Sequence, residues 1–133
     1  MSSGFQDDLN DDLTDPDFLR SFVTESVRIA TVDAIINALD DARTASGLSK
    51  ADVARAIGAE PATVRRLFSA GNVNPTLGTL AAVAAALGLH ISVRPMSAAE
   101  REAITEPLRT GRPPVRRVRP DGDITRKRQR PAA

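Results

Sequence analysis

Two adjacent arginines, Arg65 and Arg66, follow a proline in "EPATVRRLF", and their side chains are the best equipped in this chain for recognition chemistry. A guanidinium is a planar fork of donors that stays charged, and it matches guanine O6 and N7 or a phosphate oxygen pair. Other reactive groups are scarce. The chain holds one histidine, His90, and no cysteine, so serine–histidine and zinc chemistry have little to build on. No catalytic set appears, and neither a cofactor nor a metal is expected. The aspartates near the start (Asp7, Asp8, Asp11, Asp12, Asp15 and Asp17) lack the spaced, glycine-containing loop of a calcium site. His90 falls on the outward side of an alternating run and is expected to face solvent.

Composition sets the frame for those arginines. A chain of 133 residues has room for one small domain plus tails. Apolar residues make up 41% and aromatics only 3%, with four Phe and no Tyr or Trp, which suits short helices packed through Ala, Val, Leu and Ile. No apolar run approaches the roughly 18 residues of a membrane span, and the acidic start is unlike a secretory signal. With no disulfide possible, a cytoplasmic protein is the expectation. The formal net charge of +1 hides a polarity along the chain. Residues 1–17 hold six Asp and no Lys or Arg, whereas residues 109–133 hold nine Lys or Arg against two Asp. The spacing and composition divide the chain into an acidic disordered tail (1–14), a helical segment for dimer or partner binding (15–47), a compact module (48–95), a short helix (96–108) and a basic disordered tail (109–133).

Local signals place the elements. Asp15 and Pro16 form a helix start, and apolar residues then recur at helical spacing from Phe18 to Leu39. They predict two helices, about 16–30 and 32–46 with Thr31 as a cap between them, or one continuous helix. Ser49 caps a helix from Lys50 to Ile57, with Asp52 completing a capping box. Gly58 ends it, and Glu60 and Pro61 open the next helix, to about Ser69. After the loop Asn74-Pro75-Thr76, a helix over Leu77–Leu87 is closed by Gly88. "LHISVRP" alternates Leu89, Ile91 and Val93 with His90, Ser92 and Arg94, which predicts a short half-buried strand. Ser97 and Glu100 cap a last helix that should stop before Pro107. The fold class expected is all-α: a compact helical bundle with a short strand after it and disordered tails.

Three positions turn two of these helices into a unit. Where the helices over 50–57 and 61–69 meet closely, the contact residue must be small, and Ala54 is. Four residues on, the turn needs left-handed geometry, which Gly58 supplies. Six residues beyond, the second helix needs an apolar anchor, and Val64 is placed for it, with Leu67 and Phe68 extending the inward face. That register is a helix-turn-helix. If those three side chains point inward, Ala62, Thr63, Arg65 and Arg66 lie wholly or partly outward, at a helix whose positive N-terminal end favours anions. Residues 47–95 hold five Lys or Arg against Asp52 and Glu60, a modest excess of three positive charges.

From "LSKADVARAIGAEPATVRRLF" to "NPTLGTLAAVAAALGL" the chain resembles the phage-repressor-like (XRE) helix-turn-helix family. The resemblance implies double-stranded DNA as partner, with Glu60, Pro61, Ala62, Thr63, Arg65 and Arg66 on the recognition helix and Lys50 at the family's phosphate-contact position. The chain departs from the family at the helix tip, where Gln, Ser or Asn often stand and where this sequence has Glu60-Pro61-Ala62. Base readout then rests on Thr63, Arg65 and Arg66. So few base contacts argue for a homodimer on two half-sites about 34–36 Å apart. The segment 16–46 exceeds what a repressor core needs, and the layout from "DPDF" to "ALGLHISVRP" resembles HigA-type antitoxins. That resemblance implies a repressor of its own operon that also binds a RelE/HigB-type ribonuclease toxin. A stand-alone or phage-type repressor, and an interaction module that binds no DNA, remain open beside it.

Overall fold

The computed structural model describes residues 14–69 and 74–114. The acidic segment 1–13 and the basic segment 115–133, both expected to be disordered tails, lie outside the described residues. The elements are α1 (Pro16–Ser46), α2 (Lys50–Ile57), α3 (Pro61–Phe68), α4 (Leu77–Ala86), α5 (Ala98–Glu100), a π-helical turn (Arg101–Thr105) and α6 (Glu106–Thr110). The chain divides into two compact units, one formed by residues 21–96 and one by residues 1–20 with 97–133.

In the unit 21–96 every helix contributes to one apolar core. Ile36 and Leu39 of α1, Val53 and Ala54 of α2, Val64 and Leu67 of α3, and Leu80, Val83 and Ala84 of α4 are buried together. The small residues matter because they let short helices approach closely without leaving voids. Arg43 closes one side of this core. Its guanidinium donates to Asp40 Oδ1 at 2.8 Å and to the Leu48 carbonyl at 2.9 Å, and it lies 5.5 Å from the centre of the Phe68 ring. One polar side chain thereby ties the end of α1 to the start of the next loop and to α3.

Three local expectations need correction. Thr31 caps nothing: it sits inside α1, which runs unbroken from Pro16 to Ser46. No Gly or Pro occurs between Asp17 and Ser46, and a single Thr in a helix costs only about 0.5 kcal/mol relative to Ala, too little to break it. The strand foreseen over 89–94 is not formed, and there is no strand among the described residues. A strand needs a neighbour for its backbone groups, and the described chain has none to offer. The last helix does not stop before Pro107 but continues to Thr110. It does so by widening: the Glu106 amide donates to the Arg101 carbonyl, five residues back, and this looser turn makes room for a residue that lacks a donor.

The unit formed by residues 1–20 and 97–133 buries Leu19 and Pro107. Asp15 Oδ1 accepts from the Asp17 amide at 3.1 Å, which is the expected start of α1. Ser97 and Glu100 form the expected capping box. At the other end of this helix, Arg20 Nε donates to the Leu108 carbonyl at 3.0 Å, a cation placed on carbonyls that the helix leaves unpaired. Gly111 closes α6 with φ of 74°. A Cβ there would lie 2.9 Å from that of Pro16, so only glycine fits.

Candidate nucleic-acid interface

The α2–turn–α3 unit is built from its caps inward. Ser49 Oγ accepts from the Asp52 amide at 3.0 Å, and the Asp52 carboxylate accepts from the Ser49 amide at 2.9 Å. The Ser49 amide, then its hydroxyl, hold the Asp52 carboxyl below its ordinary value, and the ion pair with Arg55 adds to the effect. At the far end Gly58 has φ of 68° and ψ of 30°. The Ala59 amide reaches back to the Ala54 carbonyl at 2.9 Å, closing the helix in the six-to-one pattern that a left-handed residue permits. Ala54 is 1% exposed and Val64 is fully buried. The three positions that define the turn in the sequence therefore stand in the geometry asked of them.

α3 begins at Pro61, with Glu60 before it in extended backbone. Glu60 occupies the cap position, but its side chain makes no capping hydrogen bond, so the proline and not a bonded carboxylate sets where the helix starts. Val64 and Leu67 are buried and Phe68 is half-buried. On the opposite side Glu60, Pro61, Ala62, Arg65 and Arg66 are exposed, and Thr63 is half-buried. Lys50, half-buried, is the first residue of α2.

Among the described residues Arg65 and Arg66 have no ion-pair partner and no side-chain hydrogen bond. Arg55, by contrast, is committed to Asp52. Two of this unit's cations thus stand side by side on α3 with no partner among the described residues, which is the condition for holding an anion. Arg66 and Thr63 also line a cleft with Asn74, Pro75, Thr76 and Thr79. Thr76 caps α4, its hydroxyl accepting from the Thr79 amide at 3.1 Å and donating to Thr79 Oγ1 at 2.9 Å. The sequence marked Thr76 as a cap and Asn74 as loop, but gave no sign that they stand beside Arg66. That proximity arises from packing between α3 and the start of α4, which local spacing does not announce.

His90 is exposed, as expected of an outward position. Among the described residues no group of three or more His, Cys, Asp or Glu is placed to hold a metal ion, and no helix is long and apolar enough to cross a membrane.

Residues 28–93 match the family model described as Helix-turn-helix. No curated protein and no solved structure matches the chain. The matched segment begins within α1, ends just after α4, and lies inside the unit 21–96. The segment is similar to helix-turn-helix domains, a type found in DNA-binding transcription regulators.

Proposed function

We propose that this protein is a sequence-specific transcriptional repressor that binds operator DNA as a homodimer, and that it is the antitoxin of a toxin–antitoxin module. The observation that carries the DNA reading is the pair Arg65–Arg66, without a partner among the described residues, on the outer face of a helix whose inner face is fixed by Val64 and Leu67. Under this reading α3 enters the major groove. Arg65 and Arg66 reach guanine edges or phosphates, Thr63 reaches a base, and Lys50 with the cleft at Asn74 and Thr76 holds backbone phosphates. Glu60 at the tip accepts from a cytosine amino group or stands clear of the duplex; Pro61 and Ala62 pack past it.

The antitoxin reading is supported by what surrounds the DNA-binding segment. Residues 16–27 of α1 precede the matched region, and a repressor core does not need them. They supply a surface for a RelE/HigB-type toxin. No role in catalysis is assigned to any residue.

Two measurements test these readings separately. A gel shift with the DNA upstream of the gene should show binding that Arg65→Ala with Arg66→Ala abolishes while the helical circular dichroism is kept. Co-expression with the product of the neighbouring reading frame should give a co-purifying complex that depends on residues 16–27. A chain that binds its upstream DNA but captures no such product is a stand-alone repressor.

A further inference from the structure

Beyond α6 the chain does not leave its unit but turns back along the helix. Thr110 Oγ1 donates to the Glu106 carbonyl at 2.8 Å and accepts from the Arg112 amide at 3.1 Å, with the left-handed Gly111 between them. Arg112, Pro113 and Pro114 consequently line one cleft with Glu102, Glu106 and the buried Pro107. The cleft measures about 290 Å³ and its walls are mostly apolar. That is below the ~300–1,000 Å³ of small-molecule sites and suits one or two side chains. At its rim the Glu102 and Glu106 side chains are exposed. The cleft is therefore a short apolar trough edged with carboxylates.

The next residues of the chain have the matching chemistry. Pro114 is the last described residue, and Val115-Arg116-Arg117-Val118-Arg119-Pro120 follows it in sequence. Prolines at 113, 114 and 120 favour an extended chain with three residues per turn. At that period Val115 and Val118 share one side, and Arg116 and Arg119 share another. We propose that the cleft is the seat of residues 115–119 of this same chain, valines on the apolar wall and guanidiniums toward Glu102 and Glu106, and that the seated arginines are withheld from nucleic-acid phosphates. The consequence for nucleic acid rests on the DNA reading above; the seat itself does not.

Reach and charge both favour this occupant. A helix rises about 1.5 Å per residue, which puts Glu106 about 6 Å and Glu102 about 12 Å back from Thr110. An extended chain covers about 3.1 Å per residue, so residues 112–114 return by about 9 Å and residues 115–117 pass the level of Glu102. No loop has to be closed to bring them there, which keeps the entropic cost small. Residues 1–13, with four Asp and no Lys or Arg, would meet the two glutamates with like charge. Residues 115–133 hold seven Lys or Arg, and three of them lie within 115–119. Such cations add affinity for any duplex, whatever its sequence, by displacing counterions. The glutamates and the phosphates compete for the same three guanidiniums.

Both halves are tested on the full chain. Arg117→Lys keeps the charge and adds a primary amine to a chain whose other lysines are Lys50 and Lys127. A zero-length carbodiimide followed by peptide mapping should join the amine introduced at 117 to Glu102 or Glu106. Joining to the aspartates of residues 7–17 instead, or to neither glutamate, overturns the seat and leaves the cleft to an arginine-bearing segment of another protein. Glu102→Gln with Glu106→Gln should raise affinity for a scrambled duplex by roughly 2-fold to 30-fold, the change expected of two exposed ion pairs. The rise should vanish in a chain that also carries Arg116→Gln, Arg117→Gln and Arg119→Gln. No rise, or the same rise in both backgrounds, overturns the withholding. A chain that cross-links as expected and binds no duplex counts against the DNA reading alone.

Discussion

Replacing Arg65 and Arg66 together by alanine separates folding from recognition, because the two side chains do nothing for the fold. Both are exposed and neither has a side-chain hydrogen bond or ion pair among the described residues. Their loss should therefore change unfolding free energy by no more than about 0.5 kcal/mol. The charge excess of residues 47–95 falls from three to one, since five cations less two acids becomes three less two. The effect on binding depends on what the guanidiniums touch. If both neutralise phosphates, the slope of log K against log salt becomes shallower by about 1.8, at about 0.9 per contact. If both fork onto guanines, each contributes about 1–3 kcal/mol, so the pair is worth roughly 30-fold to 10⁴-fold in affinity for the operator. Fluorescence anisotropy with the upstream duplex and a scrambled duplex, over a series of salt concentrations, distinguishes the two. Phosphate contacts weaken both duplexes alike, and base contacts erase the difference between them. Arg55→Ala is the control, since that guanidinium is already held by Asp52 and its loss should alter neither slope nor discrimination. A double variant that binds with the parent's affinity and salt slope would refute α3 as the recognition helix.

Two further predictions concern the scaffold that aims α3. Val64 is fully buried, so Val64→Ala removes two methyl groups and leaves a void, costing about 1.5–3 kcal/mol; urea unfolding should show the midpoint falling while Arg66→Ala leaves it in place. The Asp52 carboxyl is held below its ordinary value chiefly by the Ser49 amide, so its contribution to stability is complete above the ordinary carboxylate range and is lost as pH falls through the lowered value. Asp52→Asn should accordingly be less stable than the parent at neutral pH, with the gap closing in acid; a constant gap across the range would remove the capping carboxylate from the account.

How much of this was legible in the sequence follows from the range of the interactions. The Ala54, Gly58 and Val64 register is a matter of spacing within eleven residues, and each capping box spans four residues, so local reading reaches them. The continuity of α1 through Thr31 was less visible, because a cap residue inside a helix costs little and looks the same on paper as one that starts a helix. The π-helical turn before Pro107 was not legible at all. It depends on the register in which Glu106 and Arg101 bond, which no residue type announces. The run 89–94 shows a different limit. Its alternation predicts a strand that the structure does not form, because a strand is a property of two segments and the alternation describes only one of them.

The tip of α3 sharpens what the site can do. Glu60 sits at the helix start without a capping hydrogen bond, so a free carboxylate stands where the helix's own dipole would otherwise invite a phosphate. Pro61 follows with no amide to donate. Both features weaken the tip as an anion holder, and the positive charge is instead one turn further along, on Arg65 and Arg66. Arg66 has Thr63, Asn74 and Thr76 around it in the cleft, an uncharged donor set beside a single guanidinium. Under the proposed function, backbone anchoring shifts from the end of α3 to its flank and to the start of α4, which leaves the Glu60 carboxylate able to act only by accepting a hydrogen bond. An acceptor at that place discriminates: it tolerates a cytosine amino group and repels a phosphate or a carbonyl edge. Replacing Glu60 by Gln should then raise affinity for scrambled duplex more than for the operator, since it removes the repulsion everywhere and the preference at one base pair.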